Sequence, residues 1–130
     1  ALASVLQVQH QLDPRIAGVH HVLWCDSATD GADGRLAVFY GDKGIDRSPG
    51  GTGTSARLAQ LHGRGRLQVG QAWRAQSLIG TVYEGRVESA TQVGPHPGIV
   101  PSVRGWARII GHNTIFVDHD DPLAHGFQLP

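Results

Sequence analysis

This chain is organised around one stretch, Asp46-Arg47-Ser48-Pro49-Gly50-Gly51-Thr52-Gly53-Thr54-Ser55-Ala56. The stretch predicts a glycine-rich turn that runs into a helix over 57–62. Three glycines in four positions leave the backbone bare, so its N–H groups can approach a ligand closely. The unpaired N–H groups and the partial positive charge of a helix start both favour an anion. We therefore expect a loop that holds a carboxylate or a phosphate by its backbone.

The structural alternative is a plain Gly/Ser/Thr turn, with Thr52 or Thr54 as the helix cap. Asp46 precedes the loop, and it could fix such a turn by accepting hydrogen bonds from nearby N–H groups. As a functional group, Asp46 would instead hold an ammonium while the loop holds a carboxylate. Those two contacts together describe an amino-acid zwitterion as the ligand.

Length and composition predict one compact domain without nucleic-acid or membrane partners. The 130 residues can bury a real core, and 18 glycines with seven prolines favour a strand-rich unit. Eleven basic and eleven acidic residues cancel, so long-range attraction to nucleic acid or to an anionic membrane has no support. No apolar run approaches ~18 residues. The single cysteine excludes an internal disulfide and favours a reducing, cytoplasmic location.

Hydrophobic spacing predicts about six strands and two helices in one α+β unit. The first helix is expected over 1–12, and the second follows the organising loop. Strands are expected over 19–24, 35–40, 72–79, 81–88, 102–110 and 113–117. We expect Cys25 to be a small buried residue, and Trp73 and Trp106 to lie in the core.

Nucleotide and metal sites are weakly supported. A Walker loop needs a lysine after its last glycine, but Thr54 follows Gly53, and the dinucleotide fingerprint lacks its third glycine. His20 and His21 are adjacent and would point to opposite faces of a strand. The later histidines have no cysteine or carboxylate at a recognised ligand spacing. The residues therefore indicate neither a metal nor a cofactor.

Residues 46–56 resemble the signature around the second catalytic cysteine of the proline racemase family. That family includes 4-hydroxyproline 2-epimerases and trans-3-hydroxyproline dehydratases. The resemblance continues through Leu58-Ala59-Gln60-Leu61-His62, Ser77-Leu78-Ile79-Gly80-Thr81-Val82-Tyr83-Glu84-Gly85-Arg86-Val87, Gly105-Trp106-Ala107, Thr114 and Asp120-Asp121-Pro122-Leu123-Ala124-His125-Gly126-Phe127. It therefore covers nearly the whole chain in order.

The resemblance implies a metal-free, cofactor-independent enzyme of two pseudo-symmetric halves. Each half would have the diaminopimelate-epimerase fold, in which a mixed β-sheet is rolled around a central helix. Residues 1–130 would form a single α+β domain that corresponds to the C-terminal half. The N-terminal half, with its own Cys-Gly-His catalytic segment, has no counterpart in this sequence.

The family's site residues are carried over to matching positions of this chain. In the family, one thiolate removes the α-proton of an imino acid and a second thiol returns a proton on the opposite face. Asp46 would hold the ring nitrogen of proline or hydroxyproline, and Gly51 and Thr52 would offer N–H groups to its carboxylate. Tyr40 falls at an aromatic position that lines the ring pocket.

Gly50 is the departure from the family pattern. Racemases and epimerases carry cysteine there and the dehydratases carry threonine, so this half lacks the second acid/base. We expect the C-terminal part of a 4-hydroxyproline 2-epimerase or proline racemase, which is an isomerase. The alternatives are a one-base enzyme like the dehydratases and a non-catalytic imino-acid-binding module. Exposed apolar cleft surface would favour a homodimer.

Overall fold

The computed structural model describes residues 5–41 and 43–126. Within this part, one helix packs against a six-stranded sheet. The helix, α1, is Gly51–Gly63. The strands in chain order are β1 His21–Asp26, β2 Gly34–Tyr40, β3 Gly44–Ile45, β4 Ala72–Gln76, β5 Val82–Val93 and β6 His96–Arg104.

The sheet is mixed, as the predicted α+β class requires. Its order is β1-β2-β4-β5-β6, and the short β3 pairs with β2. Only β2 and β4 run parallel among these pairs. Their connection contains α1, because parallel neighbours need a long crossover rather than a tight turn. This crossover places the start of α1 beside the end of β2.

The core forms where α1 crosses the sheet. Thr54, Leu58 and Leu61 recur at helical spacing and are buried on the inner face of α1. The sheet contributes Leu36, Trp73, Ala75 and Val87, and Leu67 joins them from the loop after α1. Trp73 in the core is therefore confirmed.

Gly85 lets α1 approach β5 closely. A Cβ at Gly85 would lie 2.8 Å from Leu58 Cδ1 and 3.0 Å from Thr54 Cγ2. Real Cβ atoms do not pack that tightly on neighbouring side chains. A larger residue at this position would push the helix away from the sheet.

The helix predicted over 1–12 is wrong for the part that the structure describes. Residues 1–4 lie outside the described residues, and residues 6–12 are not helical. Gln9 instead forms an isolated bridge with Ala17. Val5 and Leu12 are 77% and 71% exposed. A helical spacing of apolar residues stabilises a helix only when that face is buried, and here the apolar side chains stay largely exposed.

A side-chain clasp closes this N-terminal turn. The Arg15 guanidinium binds the Asp13 carboxylate, with 2.7 Å between Nη2 and Oδ2. This hydrogen bond holds the pKa of Asp13 below its usual value. The clasp is exposed, so its effect is confined to the turn itself.

The strand predicted over 102–110 is confirmed only for 102–104, which belong to β6, and the strand predicted over 113–117 is wrong. Strand β6 ends at Arg104, and residues 105–118 have no regular structure. Ile110 and Phe116 are 99% and 90% exposed. Alternating sequence forms a strand only beside a partner, and the sheet of the described residues offers none to this segment.

Cys25 and Trp106 are exposed, contrary to the prediction that both are buried. Cys25 lies on β1, which is the edge strand of the sheet. Helix α1 packs mainly over β5 and β6, so this edge receives little cover. Trp106 belongs to the irregular segment after β6.

Candidate ligand-binding loop at the start of helix α1

Hydrogen bonds that Asp46 accepts from Ser48 fix the loop ahead of α1. Asp46 Oδ1 accepts from the backbone N–H of Ser48 at 3.0 Å and from its hydroxyl at 2.9 Å. Ser48 Oγ in turn accepts from the N–H of Gly50 at 3.1 Å. The N–H of Asp46 donates to the carbonyl of Val38 at 3.0 Å, which ties the loop to β2. The predicted turn-fixing role of Asp46 is confirmed.

The second carboxylate oxygen of Asp46 is left available. No residue in the described ranges donates a hydrogen bond to Asp46 Oδ2. This oxygen lies 3.6 Å from the place that a Cβ would occupy on Gly50, and Asp46 is half-buried. A carboxylate oxygen with free lone pairs can hold an ammonium or a ring N–H.

Helix α1 begins at Gly51, six residues before the predicted start at Arg57. No side chain of residues 5–41 or 43–126 caps it, and its first turn contains no acidic residue. The caps expected at Thr52 or Thr54 are therefore wrong, because both residues lie inside the helix. The left-handed conformation of Gly50 (φ 78°) makes the sharp entry instead.

The first N–H groups of α1 have no intrahelical acceptor and stand at the positive end of the helix dipole. Gly51 and Thr52 are both exposed. Gly51 and Thr52 directly follow Gly50, whose Cβ position lies 3.6 Å from the Asp46 Oδ2 to which no described residue donates. A zwitterion matches these opposite charges.

Tyr40 is the last residue of β2, and its side chain packs on Gly44, two residues before Asp46. It is on the same face of the strand as Leu36 and Val38, because side chains alternate along a strand. Its ring covers Gly44 and meets His21 edge-on, with ring centroids 5.9 Å apart. Tyr40 is 45% exposed, so part of the ring remains open to a ligand.

Two cavities adjoin the start of α1 and share a wall. The first, of about 480 Å³, is lined by Gly51, Tyr83, Val103, Gly105, Trp106 and Ala107. The second, of about 430 Å³, extends past Arg47 and Ser48 and shares Tyr83, Trp106 and Ala107 with the first. Each is large enough for a small ligand. The loop therefore opens onto ligand-sized space at Arg47, Ser48 and Gly51, whereas Asp46, Thr52 and Tyr40 line neither cavity.

Sequence reasoning singled out neither Ser48 nor Tyr83 as a site residue. The Asp-x-Ser spacing is a turn signal that could have found Ser48. No local signal marks Tyr83, because β5 brings it to the loop although it follows Gly51 by 32 residues (83 − 51).

No group of three or more metal-ligating side chains occurs in residues 5–41 and 43–126. In the same ranges, no helix has the length and apolar character needed to cross a membrane.

Gly50 has neither the conformation nor the space for a side chain. Besides its positive φ, a Cβ there would lie 2.8 Å from Val38 Cγ2. We expect Gly50→Ala and Gly50→Cys to lower the free energy of unfolding by about 1–3 kcal/mol, because a left-handed non-glycine residue is strained. Denaturant titration measures this loss.

Two comparisons sharpen the Gly50 test. In a Val38→Ala background the added cost of Gly50→Ala should be smaller, because the overlap with Val38 is gone. Gly63→Ala is the control, since nothing lies within 4 Å of its Cβ position and its φ is ordinary. Equal stability of wild type and Gly50→Ala would show that a side chain at residue 50 is not strained.

Comparison with known proteins places this geometry in a family. The model of the proline racemase family matches residues 1–128. Among curated proteins, the chain is 68% identical over 130 residues to 4-hydroxyproline 2-epimerase 2 of Rhizobium rhizogenes, covering 99% of this chain and 39% of that protein. It is 57% identical over 125 residues to 4-hydroxyproline 2-epimerase of Shewanella loihica, and this match covers 95% of this chain and 38% of that protein.

Solved structures agree with the sequence relatives. A hydroxyproline epimerase of Agrobacterium vitis, crystallised with trans-4-hydroxy-L-proline, superposes with a TM-score of 0.79 at 35% identity. A probable proline racemase of Agrobacterium radiobacter, crystallised with carbonate, superposes with a TM-score of 0.80 at 37% sequence identity. Each alignment covers 98% of this chain and 37% of the other. The chain thus spans about two fifths of the length of its relatives. It belongs to the proline racemase family.

Proposed function

We propose that this chain is the C-terminal part of a cofactor-independent imino-acid epimerase acting on 4-hydroxyproline. The main support is the Asp46 oxygen that no described residue donates to, at the uncapped start of α1. Two curated relatives of the chain are also named 4-hydroxyproline 2-epimerases. The Agrobacterium vitis relative, crystallised with trans-4-hydroxy-L-proline, supports a ligand of this class.

In the proposed complex the substrate lies across the start of α1. Asp46 Oδ2 accepts from the ring nitrogen, while the N–H groups of Gly51 and Thr52 donate to the carboxylate. The helix start stabilises negative charge that develops on the carboxylate when the α-proton leaves. Tyr40 borders the ring on the side of β2.

The complete enzyme in this proposal has two diaminopimelate-epimerase-like halves, with residues 1–130 as one domain. The missing half contributes the first thiol and closes the site. The exposed Ile110, Ile115 and Phe116 support a second protein surface against the segment after β6. A homodimer and a cytoplasmic location belong to the same proposal.

Gly50 favours one alternative, an imino-acid-binding protein without turnover. Epimerisation needs a proton donor on the face opposite the base. Residue 50 has no side chain to provide it, and the local backbone is shaped for glycine. A protein with the remaining contacts would still recognise the zwitterion.

Incubation of the complete protein with trans-4-hydroxy-L-proline in deuterium oxide tests both functions. Epimerisation should give α-deuterium together with inversion at the α-carbon. Calorimetry with pyrrole-2-carboxylate, a planar mimic of the deprotonated substrate, is the second measurement. Binding without exchange supports the binding protein. Neither exchange nor binding would overturn the proposed site.

A further inference from the structure

A third cavity, with a polar lining, lies between β1, β2 and α1, apart from the loop at 46–52. Its volume is about 340 Å³, within reach of a small ligand. Its charged lining residues are Asp26, Asp33, Arg35, Arg57 and Arg66. Arg57 is six residues beyond Gly51 along α1, which corresponds to about 9 Å of helix.

The two carboxylates of this cavity are already held by backbone N–H groups. Asp26 Oδ1 accepts from Ser27 at 2.7 Å, and Asp33 Oδ2 accepts from Arg74 at 2.6 Å. In residues 5–41 and 43–126, neither forms a salt bridge with an arginine of the cavity. Three guanidinium groups against two carboxylates leave a net charge of +1 (3 − 2) in the lining.

The arginines also have donors without acceptors. Arg35 Nη2 donates to the carbonyl of Leu78 at 2.9 Å, and Arg57 Nη1 binds Gln60 Oε1. The Nε atoms of Arg35 and Arg57 are buried and have no partner among the described residues. A guanidinium offers five N–H donors and accepts nothing. The missing partners must therefore be acceptors.

We propose that this cavity binds a small oxyanion, with the guanidinium groups of Arg57 and Arg66 as its principal donors. Planar guanidinium groups match carboxylate and phosphate oxygens in paired hydrogen bonds, and the charge strengthens each bond. The site is independent of the imino-acid loop, because none of its charged residues touches that loop's hydrogen-bond network.

Cys25 provides the reporter for a test. It lines the cavity and is exposed, and its alkylation is followed by mass spectrometry of the peptide that contains Cys25, because the complete protein proposed above carries a further thiol. The rate of its alkylation by iodoacetamide, which is uncharged, is measured against the concentration of inorganic phosphate or of citrate. Sodium chloride at matched ionic strength is the control. Saturable protection by phosphate or citrate is expected, and the stronger of the two identifies the oxyanion class.

Variants then tie the protection to the arginines. Arg57→Gln and Arg66→Gln should each raise the half-protecting concentration about tenfold or more, as expected for loss of a charged hydrogen-bond donor. Arg86→Gln, at an exposed position of β5, should leave it unchanged. Circular dichroism checks that the variants stay folded. Protection that is unsaturable, equal in chloride, or equally weakened by Arg86→Gln would overturn the proposal.

Discussion

Asp46→Ala in the complete protein is expected to weaken the binding of pyrrole-2-carboxylate about 100-fold. A hydrogen bond to a charged group contributes up to about 3 kcal/mol, and each 1.4 kcal/mol is a factor of ten in affinity. Asp46 Oδ2 has no other partner in the described chain, so the ring N–H would lose its acceptor. Isothermal titration calorimetry gives the change in Kd directly.

Asp46→Asn separates binding from loop structure. The asparagine Oδ1 can still accept from Ser48, as the aspartate does at 3.0 and 2.9 Å. Its amide NH₂ would then face the ring N–H, donor against donor. We expect Asp46→Asn to keep near wild-type stability but to bind pyrrole-2-carboxylate weakly. We expect Asp46→Ala to lose both stability and binding. Wild-type affinity in Asp46→Asn would disprove the role of Asp46 in holding the nitrogen.

Leu58→Ala is expected to lower the free energy of unfolding by about 2–5 kcal/mol. Leu58 is 0% exposed at the centre of the contact between α1 and the sheet, with Gly85 beneath it. The close approach leaves a cavity that α1 cannot easily fill by moving. Chemical denaturation of the chain measures the loss.

The matched control is Leu123→Ala, because Leu123 is 57% exposed in the segment near the end of the described chain. That substitution should change stability by less than about 0.5 kcal/mol. A similar small effect for Leu58→Ala would mean that α1 is not anchored at this contact.

Several elements could be predicted because their signals are local. The alternation in 35–40 matches β2, and the loop with Asp46 forms the turn that its residues favour. The glycines also marked the helix start, although α1 begins earlier than its apolar spacing indicated. Gly50 explains the shift, since one left-handed residue lets the helix start immediately after it.

The wrong predictions concern segments whose state depends on what they pack against. Residues 6–12 have helical spacing but most of their apolar side chains stay exposed, and the alternation in 102–110 gives a strand only over 102–104, where β5 is the partner. Cys25 was expected in the core because its neighbours are apolar, but β1 proved to be an edge. Sequence gives the periodicity of a segment and not its neighbours.

By itself, the sequence determined the family and the glycine-rich loop at 46–56. It also determined the position of Asp46 in that loop and the absence of a thiol at residue 50, because all of these are properties of consecutive residues. Only the tertiary structure decided which Asp46 oxygen is free, that Val38 closes the space beside Gly50, and that three separated arginines share one cavity. These contacts join residues far apart in the chain, and their distances are fixed only when α1 packs on the sheet.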